Sequence, residues 1–508
     1  MYITFFLDNL EKYITLMISD YDKVPYKGTI IPNSFPDHLA LCNMWHNGRH
    51  PPLQRFHLTE LGCGDGANLL PIAFYHPDST FIGIDNAESG VSRAREGARH
   101  IGLQNIQFIQ KDIREVEQAE IVQCDYIIAH GLYSWVSDDT REAILQFCRT
   151  NLAPTGLAFI SYNAQPGWAS RGLVRDILLR SASVQQAAIE DKANKAIEVA
   201  AELLQATPSR DYAYAVLLAE ELERVRDGKP FYIFHEYLEE FNEGIWLRDF
   251  VQRARKNDLD YVCDAQFSQW EGQVPKELKH SLSQAGLDPI EQEETADLLC
   301  NRYFHASILC RGNEPGKSLS HPKILEQACI ASSLRADSDP FDLTEGVVEV
   351  FIGTHSQEIT LDASITKAAV VLLATQWPIG MQLNNLFQQA SGLLSENGHN
   401  VLEDAQSQLT EGLIMLFEAG VIDLRLQQLN YSRDLPEYPK LHALARYEIG
   451  HRDALTTPYH LPISLNDQFL DVVSVMDGSK STEEIKALFG KDIVDQTLDI
   501  LVRWSLLE

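Results

Sequence analysis

The stretch LTELGCGDGAN, residues 58–68, decides the fold. An apolar segment ends at Leu61, and Gly62, Gly64 and Gly66 then open a turn into a helical segment. Glycines suit such a turn because they adopt positive φ and let the backbone come close to a ligand. The N–H groups at the start of the helix add oriented donors. The pattern therefore predicts a ligand-binding turn after a buried strand, with a spacing that differs from the G-x-G-x-x-G of pyrophosphate sites.

Predicted strands and helices alternate around this turn. We expect strands at residues 57–61, 80–84, 106–110, 126–129 and 157–162, and helices at 67–75, 87–100 and 140–151. This alternation is typical of βαβ units and a parallel sheet. Ligands of such sheets lie outside the carboxyl ends of the strands, so the residues that follow each strand are the candidates for chemistry.

Three acidic residues lie at the ends of the first three predicted strands. Glu60 precedes the glycines, where a dinucleotide-binding fold normally has an apolar residue, and Asp85 and Asp112 follow the next two strands. Glu60 is placed to order the turn and to meet a cationic group. Asp85 is placed to accept both hydroxyls of a ribose, and Asp112 to accept an adenine amino group. Because neighbouring carboxylates disfavour phosphate, this set predicts a ligand that carries a sulfonium group.

The segments ELGCGDG (60–66), GID (83–85) and KDI (111–113) resemble the motifs of class I S-adenosylmethionine-dependent methyltransferases. The resemblance implies a Rossmann-like, seven-stranded α/β sheet with S-adenosyl-L-methionine as cofactor. It also implies contacts of Gly62 and Gly64 with the methionine moiety, of Asp85 with ribose, and of Asp112 and the Ile113 N–H with adenine. The whole predicted cofactor-binding set is Glu60, Gly62, Gly64, Gly66, Asp85, Asn86, Asp112, Ile113 and His130.

A narrower resemblance extends over almost the whole chain. It rests on YDKVPY (21–26), AHGLYSWV (129–136), SYNAQPGW (161–168), FHEYL (234–238) and RYFHASILC (302–310). These segments resemble the bacterial methyltransferases with a methyltransferase regulatory domain, a group that includes the rickettsial outer-membrane-protein lysine methyltransferases. His305 stands where an arginine is common in this group, which weakens the transfer of substrate contacts near that strand.

The chain is expected to divide into five segments. We predict an N-terminal lid or helical segment (1–55), a cofactor-binding domain (56–165), a helical middle domain that also supplies the closing strands of the sheet (166–312), and two winged-helix-like modules (335–432 and 440–508). A linker at residues 312–320 separates the last two from the rest.

Residues after the fourth and fifth predicted strands are the candidates for catalysis: Tyr133, Trp135, Tyr162 and Asn163. Methyl transfer is an in-line displacement, so an enzyme must align the acceptor with the methyl group and exclude water. A lysine acceptor must first lose its proton, and burial beside a sulfonium lowers its pKa. Asn163 or the Tyr162 hydroxyl would then hold the amine. Core packing is the alternative for each aromatic residue.

A predicted substrate wall comprises Trp168, His235, Glu236, Tyr237 and Tyr26. Aromatic ring faces suit a cationic substrate. Trp168 would serve equally as a core residue, and residues 235–237 as an acidic helix start with a packed tyrosine. For Tyr26 the alternative is a surface turn at Pro25.

The 508-residue chain carries a formal charge of −30. An acidic surface repels nucleic acid and attracts basic partners, although acidic proteins are often acidic only for solubility. Winged helices that bind DNA place their third helix in the major groove. The corresponding helix here, residues 402–418, has four acidic side chains and no basic one. We therefore expect no nucleic acid partner, but a basic or lysine-bearing protein or peptide.

Eight cysteines are scattered without a C-x-x-C pair, which predicts a reducing, cytoplasmic environment with no disulfide framework and no metal site. No apolar run approaches the ~20 residues that span a bilayer, so no membrane association is expected. A homodimer is compatible with the sequence.

These features together predict a methyltransferase whose favoured acceptor is a lysine side chain of a protein. Two alternatives stay open. One is a small-molecule or natural-product N- or O-methyltransferase whose C-terminal part serves dimerisation. The other is a non-catalytic regulator that binds S-adenosylmethionine. Methylation of intact proteins but not of free amino acids would argue against the first alternative. Cofactor binding without turnover would favour the second.

Overall fold

A computed structural model describes residues 20–24, 26–47, 50–117, 121–206, 212–266, 274, 276–312, 319–353, 357–428, 435–464 and 466–508. The chain forms two compact units. The first comprises residues up to 30, 54–261 and 281–312, and the second comprises 31–53, 262–280 and the residues from 313 onward.

A seven-stranded sheet forms the centre of the first unit. Its strands are β1 (His57–Leu61), β2 (Thr80–Asp85), β3 (Ile106–Gln110), β4 (Cys124–Ala129), β5 (Leu152–Asn163), β6 (Leu259–Asp264) and β7 (Phe304–Arg311). The spatial order is β3-β2-β1-β4-β5-β7-β6. In this order each neighbouring pair from β3 through β2, β1 and β4 to β5 is parallel, and β7 runs antiparallel to β5. This arrangement confirms the predicted class I, Rossmann-like sheet.

The helices follow the predicted alternation and the predicted insertion. In chain order they are α1 (Asp20–Lys23), α2 (Pro36–Asn47), α3 (Leu69–Tyr75), α4 (Glu88–Ile101), α5 (Asp138–Asn151), α6 (Trp168–Arg180), α7 (Ala182–Gln185), α8 (Lys192–Ala206), α9 (Ala213–Asp227), α10 (Pro230–Ile233), α11 (Leu247–Lys256), α12 (Lys276–Gln284), α13 (Pro289–Cys300), α14 (His321–Gln327), α15 (Ser364–Gln376), α16 (Leu383–Glu396), α17 (Ala405–Glu418), α18 (Ala443–His451), α19 (Asp467–Val473), α20 (Thr482–Phe489) and α21 (Lys491–Arg503). A π-helix, Phe234–Leu238, continues directly from α10.

The largest difference from the predicted boundaries in the first unit is at β5. This strand starts at Leu152 rather than residue 157, because Leu152 already pairs with Cys124 across a register irregularity. Pro154 and Gly156, residue types that favour turns, lie within this added part of the strand. Ile245 forms a parallel bridge with Ala164 directly after β5, and α11 follows at Leu247.

The second unit contains small sheets and packed helices. Its strands are β8 (Cys329–Ala331), β9 (Arg335–Ala336), β10 (Glu349–Ile352), β11 (Glu358–Leu361), β12 (Met381–Gln382), β13 (Asp423–Arg425), β14 (Leu455–Thr456) and β15 (Pro462–Ile463). The sheets have the orders β11-β10-β9, β12-β8-β13 and β14-β15.

The three-stranded sheet β12-β8-β13 of the predicted module 335–432 takes its central strand β8 from before residue 335. Residues 429–432 of this module and most of the predicted linker lie outside the described residues. The winged-helix assignments stay predictions. Within the described ranges, no helix has the length and apolarity that crossing a bilayer requires.

Candidate active site

The glycine turn joins β1 to α3 at the carboxyl edge of the sheet. Gly62, Gly64 and Gly66 have φ values of +72°, +50° and +73°, in the left-handed region. At Gly66 a Cβ would lie 3.1 Å from the Phe108 ring and 3.2 Å from the Ala94 Cβ, so packing there requires glycine. At Gly64 a Cβ would meet no described atom within 4 Å. The turn is thus tightly packed against neighbouring side chains at Gly66, whereas the space beside the Gly64 Cα is open.

Asp85, the last residue of β2, fixes the shape of this turn. Its Oδ2 accepts the Gly64 N–H at 2.8 Å, and its Oδ1 accepts the Ala87 N–H at 2.8 Å. Burial raises the pKa of Asp85, and the nearby Asp22 carboxylate adds to the rise. Each carboxylate oxygen retains further acceptor capacity, which is what the predicted contact with two ribose hydroxyls requires.

Glu60 is buried directly beneath the turn, with 4% of its surface exposed. Its Oε1 accepts from Asn68 Nδ2 at 2.9 Å, which ties β1 to the start of α3. Its Oε2 is buried and has no hydrogen-bond partner among the described residues. Burial raises the pKa of Glu60 to about 8. A buried carboxylate oxygen without a donor beside an open glycine fits a ligand with an ammonium group, as the amino acid end of S-adenosylmethionine has.

This burial predicts a stability difference that depends on pH. The Glu60 carboxyl keeps its proton up to about pH 8 in the folded chain but releases it near its ordinary pKa of 4.5 when unfolded. The stabilisation is therefore present at low pH and lost as pH rises towards about 8. We expect ligand-free Glu60→Gln to gain on the order of 2 kcal/mol in unfolding free energy relative to wild type between about pH 5 and pH 8.

Urea unfolding of both proteins at the two pH values measures this difference. Glu96→Gln on the exposed face of α4 is the control, because Glu96 is exposed. Parallel pH profiles for Glu60→Gln and wild type would contradict the assignment.

The remaining predicted cofactor contacts lie after β2, β3 and β4. Asp112 caps a short 3-10 helix, Ile113–Glu115, and accepts from the Arg114 side chain at 2.6 Å and the Arg114 N–H at 2.9 Å. These hydrogen bonds lower the pKa of Asp112. Asn86 is exposed beside Asp85, and the Ile113 side chain packs partly against the core. An adenine amino group would share the Asp112 carboxylate with Arg114.

His130 directly follows β4 and pairs with the end of β5. Its Nδ1 lies 2.9 Å from Ser161 Oγ, which also accepts the Gly131 N–H at 3.0 Å. Burial lowers the pKa of His130 to about 4, so the ring is neutral at physiological pH. The structure thus brings His130 to the same edge of the sheet as Glu60, Asp85 and Asp112. Their contacts with a cofactor stay predictions.

Two of the four predicted catalytic residues are buried in the core. Tyr133 and Tyr162 have no exposed surface, and both rings pack against Phe250 of α11, with centroid distances of 5.3 and 4.4 Å. The Tyr162 hydroxyl pairs with Ser307 Oγ of β7 at 3.1 Å. This packing favours the alternative of core packing for both, and contact of either residue with a substrate stays a prediction.

Asn163 and Trp135 point instead towards the inserted helical segment. Asn163 Nδ2 donates to Asn242 Oδ1 at 2.8 Å, and Asn242 Nδ2 donates to the Glu236 carbonyl oxygen at 2.7 Å. Trp135 Nε1 donates to the His235 carbonyl oxygen at 3.1 Å. Hydrogen bonds thus link Trp135 directly, and Asn163 through Asn242, to the FHEYL segment, which contains three residues of the predicted substrate wall.

FHEYL forms the π-helix, and all five of its residues are buried. Glu236 Oε1 accepts from Arg171 Nη1 at 2.9 Å, and Arg171 also pairs with Glu221 at 3.4 Å. The Tyr237 hydroxyl donates to Glu221, and burial raises the pKa of Tyr237. π-helical turns inside helices occur frequently at functional sites. Arg171, Glu221 and Asn242 were not predicted, because their partners lie far away in sequence.

Trp168 and Tyr26 complete the predicted wall. Trp168 is 3% exposed at the start of α6, with the Arg171 guanidinium 5.7 Å from its ring. Tyr26 is 39% exposed, and its ring meets the edges of Phe231 and His235 at 5.7 and 5.6 Å. Burial of its hydroxyl and the nearby Glu236 carboxylate raise the pKa of Tyr26. Of the wall residues, Tyr26 is exposed and the others are buried.

Two family models match the chain. A methyltransferase domain matches residues 59–156, and a predicted methyltransferase regulatory domain matches residues 229–311. The first match covers the glycine turn and the carboxylates of β1 to β3. The second covers the π-helix and the closing strands of the sheet.

Two relatives from Rickettsia are similar to most or to about half of the chain. The uncharacterized protein RP789 of Rickettsia prowazekii (strain Madrid E) is 26% identical over 482 residues, which cover 92% of this chain and 85% of the relative. RP028 from the same strain is 29% identical over 237 residues, which cover 46% of this chain and 94% of that protein.

The structure of PKMT2 from Rickettsia typhi in complex with AdoHcy aligns with a TM-score of 0.83 at 23% identity, covering 95% of this chain and 100% of that one. This likeness shows that the two chains share a fold. The matched domains and the topology of the sheet confirm the predicted enzyme class. The chain is therefore a class I S-adenosylmethionine-dependent methyltransferase with a methyltransferase regulatory domain.

Proposed function

We propose that this enzyme methylates lysine side chains of a protein substrate. The observation that carries the proposal is the composition of the wall beyond β4 and β5, where the exposed ring of Tyr26 lies close to the Glu236 carboxylate. Aromatic faces and a carboxylate are the groups that attract an alkylammonium ion from water. The resemblance to rickettsial protein lysine methyltransferases supports the same acceptor.

The residues of the wall have distinct tasks in this proposal. S-adenosylmethionine supplies an electrophilic methyl group on a sulfonium. The exposed ring of Tyr26 attracts the incoming ammonium, and the buried surroundings of Asn163 then favour the neutral amine, because burial disfavours a charged group. The side-chain oxygen of Asn163 would accept a hydrogen bond from the amine and so orient it, because Asn163 Nδ2 already donates to Asn242 Oδ1 at 2.8 Å.

Helix α17 in the second unit suggests how a basic protein segment would be recognised. The chain has no lysine or arginine between Lys367 and Arg425. Glu403 and Asp404 before α17 and Glu411 within it are exposed. We propose that this module docks the lysine-bearing partner by charge complementarity, which steers association and weakens with salt.

Transfer of labelled methyl groups into a cell lysate tests the acceptor class. We expect label in protein, mapped by mass spectrometry to lysine, and its loss when the lysines of the lysate are acetylated beforehand. Asp85→Ala should transfer nothing. Label confined to the small-molecule fraction would favour a natural-product methyltransferase, and label on another protein side chain would overturn the lysine assignment. Binding of the cofactor without transfer to any fraction would favour a regulator.

A further inference from the structure

The N-terminal residues 22–24 and 26–28, called the strap below, lie against the glycine turn. Asp22 Oδ1 accepts the Ser89 N–H at 2.8 Å, in the first turn of α4 and close to Asp85. At the other end, a Cβ on Gly28 would lie 2.8 Å from the Ala67 Cβ, so the strap backbone is in close contact with the turn. Both ends of the strap therefore contact elements that form the cofactor site.

The middle of the strap is held by the π-helix through one side chain. His235 Nε2 lies 2.7 Å from the Val24 carbonyl oxygen, and His235 Nδ1 lies 2.6 Å from Glu239 Oε1. The ring is 3% exposed and meets the ring of Tyr26 edge-on. His235 was predicted to contact the substrate, but both of its ring nitrogens already face partners within the chain.

Both partners of the ring are hydrogen-bond acceptors. A carbonyl oxygen only accepts hydrogen bonds, and so does an ionised carboxylate. The ring lies between the two, so it joins the strap to Glu239, the residue that directly follows the π-helix.

We propose that His235 is a positioning residue for the cofactor site, because its ring joins the strap to the π-helix and so holds the strap against the glycine turn. Without this ring the Val24 carbonyl oxygen loses its contact with the π-helix. Cofactor affinity should therefore fall as the strap is released.

Elements on several sides of the ring hold it in place. Glu239 faces Nδ1, and the Tyr26 ring belongs to the strap itself. Glu236 on the π-helix is paired with Arg171. After β4, the Trp135 indole N–H donates to the His235 carbonyl oxygen.

The test compares His235→Gln with wild type by calorimetric binding of S-adenosylhomocysteine. We expect His235→Gln to bind about tenfold more weakly, the effect of losing one hydrogen bond that holds the strap. His100→Gln at the exposed end of α4 is the matched control and should bind like wild type. Equal affinities of His235→Gln and wild type would overturn the proposal.

A second variant separates positioning from damage to the fold. Asp22→Ala releases the far end of the strap without touching the π-helix, and faster hydrogen exchange of the Ser89 amide should report that release in both variants. If His235 and Asp22 act through one strap, the double variant should lose no more affinity than the weaker-binding single variant. Additive losses, or unchanged Ser89 exchange in His235→Gln, would contradict the proposal.

Discussion

Asp85→Ala is expected to lose cofactor affinity by roughly 100-fold or more while the chain remains folded. The carboxylate accepts the Gly64 and Ala87 N–H groups, both at 2.8 Å, so it holds the glycine turn against the start of α4. Hydrogen bonds to a charged group contribute about 1.5–3 kcal/mol each. Loss of these two, together with the expected contact to the ribose, therefore exceeds the ~2.7 kcal/mol that corresponds to 100-fold.

The matched control is Asp125→Ala. Asp125 Oδ2 accepts the His57 N–H at 2.9 Å, so it also joins a carboxylate to the backbone of this sheet. It lies at the amino end of β1, on the edge opposite to the glycine turn. Calorimetry with S-adenosylhomocysteine should show affinity near that of wild type for Asp125→Ala. Equal losses in the two variants would mean that the sheet, rather than the turn, sets the affinity.

The glycine turn and the acidic residues around it could be predicted from the sequence because their signals are local. Glycine spacing, an acidic residue within one strand and acidic residues after two others each depend on a few neighbouring positions. The parallel sheet then brings Glu60, Asp85 and Asp112 to one edge, because β1, β2 and β3 are adjacent. The same alternation predicted the sheet that the structure has.

The surroundings of the residues predicted to touch a substrate were less predictable, because these residues contact partners that are distant in sequence. Tyr162 is the last residue but one of β5, and the helix that covers its side chain, α11, comes more than eighty residues later in the chain. No local pattern reveals that Phe250 covers its ring or that Arg171 joins Glu236 to Glu221. His305 similarly pairs with Asp297 at 3.0 Å, a partner that its own strand does not indicate.

Gly64→Asn should abolish measurable cofactor binding at ordinary ligand concentrations without unfolding the chain. Gly64 has a φ of +50° and open space where its side chain would start. Asparagine adopts left-handed backbone angles more readily than other residues, so the cost in backbone strain is small. Its amide would extend into the space in front of the turn, where the methionine moiety is expected. Exclusion of the methionine moiety from that space should weaken cofactor binding by roughly 100-fold or more, because the loss of contacts that contribute about 3 kcal/mol of binding free energy is enough for this effect.

Gly102→Asn separates this steric effect from backbone strain. Gly102 also has positive φ, +85°, and a Cβ there likewise meets no described atom within 4 Å, but it ends α4 away from the turn. Thermal unfolding should show similar, small shifts for the two variants, whereas calorimetry should show loss of S-adenosylhomocysteine binding for Gly64→Asn alone. Retained binding in Gly64→Asn would mean that the cofactor does not occupy the space in front of Gly64. The contacts assigned to Glu60 Oε2 would then need another ligand, because that oxygen lies beneath the same turn.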